Sequence, residues 1–412
     1  MASNTKQILV VGGGIAGITA ALEAAEVGHQ VVLIEKNPYL GGRVAQMHRY
    51  FPKLCPPSCG LEINYKRLKS NPRVRVITGA ELAEVSGAPG AFTATVTVKP
   101  RYVNERCTCC GKCAEACTLE VDDPFNLNLR KIKAAHLPHP NAFPARYILH
   151  KSLIGTPEAD KVKAACEFGA IDLEEKEQTL TLKVGAVVWA TGWEPFDPTG
   201  VDYYGFGKHK NVITNLMMER FASLEGPTGG KILRPSDGQP PKHVLFVQCA
   251  GSRDENHLGY CSGVCCLGSL KQATYVREQL PEAKVTICYI DIRTPDRLED
   301  FYQKVQKDPG VLFVKSKIAD ISEEQDGGLK VHGEDTLSGK RFESSADLVV
   351  LATGIVPSKV APALERDSYG FLTEAQARGH LPAGCAVRPT EVSSAVQDGT
   401  AAALRAIQMV VR

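Results

Sequence analysis

The chain has almost no net charge. Its 48 Lys and Arg against 46 Asp and Glu leave +2 over 412 residues, with no basic run, so it lacks the electrostatic footprint of a nucleic-acid binder. It also lacks a long hydrophobic run. The longest uncharged stretch, Gln7 to Leu22, holds four glycines and stops at Glu23, too short and too broken to cross a bilayer. No leader is expected, because Met1 to Lys6 runs directly into a strand pattern, and the expected location is the cytoplasm. With 43% apolar and 23% charged residues the chain is neither disordered nor fibrous, and its length suits two or three domains.

What it has in quantity is cysteine, fourteen in all. In a reducing compartment clustered thiols point to metal or redox ligands rather than to disulfide staples. Twelve fall in four groups: Cys55 and Cys59; Cys107, Cys109, Cys110, Cys113 and Cys117; Cys166; and Cys249, Cys261, Cys265 and Cys266.

The stretch ILVVGGGIAGITAALEAAEVGHQVVLIEK (8–36) is an apolar strand, a Gly-rich turn, an amphipathic helix and a second apolar strand ending at Glu35. Gly12, Gly14 and Gly17 supply the tight turn, the close approach to a pyrophosphate and the helix–strand contact, while Ile15 and Ala16 open the helix whose N–H groups face the phosphates. Glu35, 18 residues after Gly17, stands where a carboxylate accepts from ribose hydroxyls, with Lys36 beside it. The alternative is a packing turn. NPYLGGR, with Gly41, Gly42 and Arg43, resembles the second glycine motif of two-dinucleotide-domain flavoproteins. VGAVVWATG, with Thr191 and Gly192, and ADLVVLATG (346–354) resemble the strands that return the chain from that family's inserted domain. AGCAVRPTEVSSAVQDGTAAALRAI, with Gly384, Cys385, Ala395 and Val396, resembles its last flavin-contacting loop and helix, and Leu82 is expected to complete the FAD site. The resemblance implies an α/β, thioredoxin-reductase-like fold with two dinucleotide-binding (Rossmann-type) domains.

In such a fold the second domain carries its own Gly-rich loop for NAD(P)H. Here the strand HVLFVQ (243–248) is followed by CAGSRDENHLGYCSGVCC, with no Gly-x-Gly-x-x-Gly. No direct NAD(P)H site is therefore expected. Cys249, Cys261, Cys265 and Cys266 take its place, at a helix N-terminus that favours thiolates. Adjacent Cys265 and Cys266 are unusual for zinc, whereas a cubane offers separate iron corners, so a [4Fe-4S] cluster fits better than zinc or inert thiols.

CTCCGKCAEAC sets Cys107, Cys110, Cys113 and Cys117 at the bacterial ferredoxin spacing, with Thr118 where proline is usual. Cys166, in KAACEFGAIDL, resembles the remnant of a second ferredoxin half. The expected second cluster sits on Cys107, Cys110, Cys113 and Cys166, with Cys117 the rival for the fourth position and a zinc knuckle the alternative. Cys55 and Cys59 begin 13 residues after Gly42 and form either a covering loop near the flavin or a redox-active disulfide. The expected organisation is an FAD-binding domain (1–100, 180–225, 346–412), an inserted ferredoxin-like segment (101–179) and a degenerate nicotinamide-type domain (240–345).

NVITNLMMERF, GPTGGKILRPSDGQPPKHVLFVQCAGSRD and YCSGVCCLGSLKQA together resemble the A-subunit of heterodisulfide reductases, over most of the chain from Ile8 to Ile407. Without a C-terminal ferredoxin module the chain is most similar to the short form, the A-subunit of the quinone-interacting membrane-bound oxidoreductase (Qmo, QmoA) type. The resemblance implies FAD, two [4Fe-4S] clusters, sister subunits including one that bears haem in the membrane, adenylylsulfate reductase as electron partner, and a cytoplasmic place peripheral to the inner membrane. The rivals are a stand-alone disulfide oxidoreductase using Cys55 and Cys59, and a zinc-bound scaffold.

Overall fold

The computed structural model describes residues 6–325, 327–373 and 379–411; the stretch before Lys6, read above as leading into a strand, lies outside them. The chain divides into two compact units, one of residues 1–193, 357–388 and 392–412, the other of residues 194–356 with 389–391.

In the first unit the apolar runs become the interior strands of a parallel sheet. β1 (Gln7–Val11) lies between β4 (Ala186–Trp189) and β2 (Gln30–Glu35), with β3 (Val74–Thr78) outside β2 and β12 (His380–Pro382) outside β4. Strands covered on both faces read as continuous apolar runs rather than alternating ones, and Ile8, Leu9 and Val10 are fully buried. Helix α1 (Ile15–Glu26) is rich in alanine and buries nine of its residues, because it is pressed against helix α4 (Val392–Val411). A Cβ added at Gly399 would meet the Ala16 carbonyl oxygen at 2.5 Å. A three-stranded antiparallel sheet of Ala80–Ala88, Ala91–Val98 and Gln178–Val184 buries Phe92, Ala94 and Val96 together with Leu9 and Val32. Between its last two strands, residues 99–177 form the cysteine-rich insert, built of short hairpins and the helices Lys112–Glu115 and Pro157–Ala164. Its own core holds Val103, Cys113, Cys117, Leu149, Leu153 and Val162.

The second unit is a seven-stranded sheet in the order β5-β11-β6-β7-β8-β9-β10, from β5 (Val212–Thr214), β6 (His243–Ala250), β7 (Lys284–Tyr289), β8 (Val311–Glu323), β9 (Leu329–Asp335), β10 (Lys340–Ala346) and β11 (Leu348–Thr353). The first five are parallel and the last two complete an antiparallel ribbon. Helices α2 (Asn215–Ala222) and α3 (Cys265–Gln279) follow β5 and β6. This departs from the expected organisation: 194–225 and 346–356 belong to the second unit, because β5 and β11 pair with each other in register Val212 to Val349 and β11 pairs with β6.

Candidate functional site

The glycine turn after β1 is closed to side chains at two points and open at a third. Gly12 has φ +106°, and a Cβ there would lie 2.2 Å from the Ala190 carbonyl oxygen; one on Gly17 would lie 1.9 Å from the Gly12 carbonyl oxygen. Turn, helix and strand therefore touch backbone to backbone. At Gly14 the nearest atom to an added Cβ is the Gly42 Cα at 4.0 Å. The second glycine step is laid over the first: Gly41 and Gly42 have φ +109° and +54°, and the Gly41 N–H donates to the Gly13 carbonyl at 2.8 Å. The space over Gly14 is a cradle that one methyl group would occupy. It is faced by the first-turn N–H groups of α1, which have no intrahelical acceptors, and it fits a pyrophosphate.

Most of the other expected FAD residues gather around this turn. Gly12 abuts Ala190 and Thr191, and Gly192 (φ +69°) opens to free space. A Cβ on Gly384 would lie 3.0 Å from that of Ala16 and 3.5 Å from that of Ala395, so the loop holding buried Cys385 and the start of α4, with half-buried Val396, meet the start of α1. Arg43 donates to the Trp193 carbonyl at 3.3 Å and to Gln46 at 2.9 Å, its guanidinium 5.7 Å from the Trp193 ring centre. Leu82 is set apart: its side chain is committed to the core with Leu9, Val11 and Ile34. Glu35 stands at the turn itself. Its carboxylate, expected on a ribose, accepts from the Gly13 N–H at 2.7 Å and from the backbone and side chain of Asn37 at 2.8 Å. Burial holds its pKa up, against those hydrogen bonds. It latches the glycine turn to the end of β2, and exposed Lys36 follows it.

The insert brings its loop thiols together. Cys109 is hydrogen-bonded to Cys107 and also feels Cys110, and burial pushes Cys113 up to about 12, with Cys107 and Cys110 adding to it. The Tyr147 hydroxyl faces all four. Cys166 packs in the same apolar core, its sulfur accepting from the Ala170 N–H at 3.3 Å. Cys117 turns elsewhere, donating to the Leu119 carbonyl at 3.6 Å, with Glu158 also at hand.

The four thiols of the second unit also converge. β6 and β11 slip register between Val247 and Ala250, a β-bulge that places Cys249 at φ 56° and re-aims its side chain. Burial pushes Cys249 up to about 11 and raises Cys265 further; the neighbouring thiols, Cys261 among them, push the same way. Cys265 and Cys266 are the first residues of α3, which has no side-chain cap, and they donate to the carbonyls of Thr353 and Asp291 at 3.5 and 3.7 Å. Gln248, 5% exposed, leaves both amide atoms without a hydrogen-bond partner among the described residues. Four sulfur donors grouped at one turn, two of them buried at the start of a helix, suit a thiophilic metal or iron-sulfur centre. Among the described residues no three Cys, His, Asp or Glu side chains are gathered as closely as a single metal ion needs; cubane ligands stand wider apart, one per corner. Cys55 and Cys59 both carry free thiols and both bear on Tyr50. The bulge and Gln248 had no signal in the sequence, since register is set between strands distant in the chain.

Residues 7–58 match the FAD dependent oxidoreductase family model. Thioredoxin reductases of T. acidophilum (15% identity, 99% of this chain and 100% of that one, TM-score 0.54) and Lactococcus lactis (14%, 98% and 99%, TM-score 0.54) share the fold. The second CoB--CoM heterodisulfide reductase iron-sulfur A-subunit of Methanopyrus kandleri is 38% identical over 98% of this chain and 64% of its own length. The A-subunit of the H(2):CoB-CoM heterodisulfide,ferredoxin reductase of Methanothermobacter marburgensis is 38% identical over 97% and 63%. The chain thus spans somewhat under two thirds of these relatives, and along nearly all of its own length it is similar to heterodisulfide reductase A-subunits.

Proposed function

We propose that the chain is the FAD- and iron-sulfur-bearing electron-transfer subunit of a heterodisulfide-reductase-like complex. The observation that carries this reading is the turn after β6, where a bulged strand end and a helix start present Cys249, Cys265 and Cys266 in place of a phosphate cradle. Bound FAD exchanges two electrons and a cluster one, so together they convert between paired and single electrons. The chain's own residues position and insulate: the turn at Gly12, Gly14 and Gly17 with Gly41, Gly42 and Arg43 holds the pyrophosphate, and Cys249, Cys261, Cys265 and Cys266 hold one cluster. Cys107, Cys110, Cys113 and Cys166 hold the other, a choice supported by Cys117 being turned to Leu119. With Cys249, Cys261, Cys265 and Cys266 where a nicotinamide cradle would stand, the chain would supply a bound flavin with electrons through partners rather than from NAD(P)H. The finer reading is a Qmo-type subunit, carrying electrons between the menaquinone pool, through a haem-bearing sister subunit in the membrane, and adenylylsulfate reductase. Among the described residues no helix is long and apolar enough to cross a membrane, so any membrane association would run through partners.

Anaerobic purification with iron, sulfide and flavin quantitation is expected to give one FAD and about eight iron per chain, reduced by dithionite but not by NADH or NADPH. Bleaching of the flavin within seconds by either nucleotide, with no partner present, overturns the reading.

A further inference from the structure

Arg101 stands where the insert meets the flavin-binding scaffold. Its Nε donates to the Tyr147 carbonyl at 3.0 Å, and its terminal nitrogens to the Pro38 carbonyl at 2.7 Å, the Thr78 hydroxyl at 3.4 Å and the Arg146 carbonyl. Pro38 lies between Glu35 and the Gly41–Gly42 step, and Thr78 ends β3, so one guanidinium ties the cysteine insert to the loop that shapes the cradle. Every one of these acceptors is neutral. The carboxylate in reach, Glu175, accepts the backbone N–H groups of Arg101 and Tyr102 instead. Burial and Arg146 oppose the cation, and the Cys107 and Cys109 thiols and the Glu175 carboxylate answer it electrostatically. Tyr147 bridges the two: its carbonyl anchors Arg101, and its hydroxyl lies 3.6 Å from where a Cβ on Gly111 would stand, over the cysteine loop. A guanidinium held by a rigid fan of carbonyls keeps its charge at neutral pH and cannot swing away from that loop.

We propose that Arg101 is a positioning residue that holds up the reduction potential of the cluster on Cys107, Cys110 and Cys113, its fixed positive charge favouring the reduced, more negative state. This rests on the cluster reading above. Reduction adds one electron to a thiolate-ligated core, and net charge and burial are what set such potentials. A cation fixed in a partly buried site, only partly offset by Glu175, shifts the oxidised-to-reduced ratio by roughly tenfold, or about 59 mV for one electron.

The test is an anaerobic EPR redox titration of the full-length chain, following the signal assigned to the insert by its loss in Cys110→Ser. Arg101→Gln is expected to shift the reduced fraction at fixed potential down by roughly tenfold, and Arg101→Lys, which keeps the charge and loses the fan, by less than about threefold. Glu175→Gln removes a nearby negative charge while leaving the guanidinium fan, and is expected to shift the ratio the other way, which decides the matter if Arg101→Gln fails to hold iron. A wild-type chain with no cluster on these cysteines overturns both readings. An intact cluster whose titration is unmoved by Arg101→Gln, or moved equally by Gln and Lys, overturns this inference alone.

Discussion

Two turns occupy the same station in two parallel sheets. β1, flanked by β4 and β2, feeds α1; β6, flanked by β11 and β7, feeds α3. The first turn works by absence. Gly12 and Gly17 let backbones touch, and Gly14 leaves a space whose nearest wall, the Gly42 Cα, is 4.0 Å from a would-be Cβ. The second works by presence, with Cys265 and Cys266 buried at the first turn of the helix and Cys249 thrown out by a bulge. A strand–turn–helix unit thus presents its helix N-terminus through whatever the turn residues admit: open space where there is no side chain, a group of thiols where there is.

The largest expected effect breaks the first turn. Gly17→Ala drives a methyl into the Gly12 carbonyl and should cost about 2–3 kcal/mol with loss of FAD, read by thermal unfolding and flavin absorbance. Gly14→Ala should unfold within about 1 kcal/mol of wild type yet lose FAD at least as completely; retained flavin there would mean that the cradle over Gly14 is not the pyrophosphate site. Next, Cys265→Ser or Cys266→Ser should remove about four iron per chain and leave FAD in place, separating the two turns chemically. Unchanged iron in both variants erases the contrast. The smallest effect sharpens the ligand set of the insert: Cys166→Ser should alter the EPR signal of its cluster while Cys117→Ser leaves it nearly unchanged, and the opposite ranking transfers the role to Cys117.

Much of this was legible in the chain itself. The glycines, the apolar strands around them and the cysteine spacings are local patterns, and local patterns dictate turns and short-range ligand sets. What was not legible depends on pairing at a distance. ADLVVLATG reads as a buried strand, and it is one, with Leu348 to Thr353 all buried; a strand covered on both faces carries no mark of which sheet it joins, and it joined the second. That Glu35 also accepts from Asn37 two residues on and from the Gly13 N–H was not legible, because the second of these joins residues 22 apart in the chain. The guanidinium fan of Arg101 draws on residues 38, 78, 146 and 147, which no window of sequence brings together.

The chain threading of the first unit sets an order of events at the ribosome. All seven strands of the second sheet have been synthesised once Thr353 is made, and that unit holds its cysteines within one continuous stretch, 194–356. The flavin cradle waits longer, since α1 is sealed by Gly384 and by Gly399 of α4. At roughly 5–20 residues per second the thiol-bearing unit has several seconds in which to fold before the glycine turn of the first unit can close.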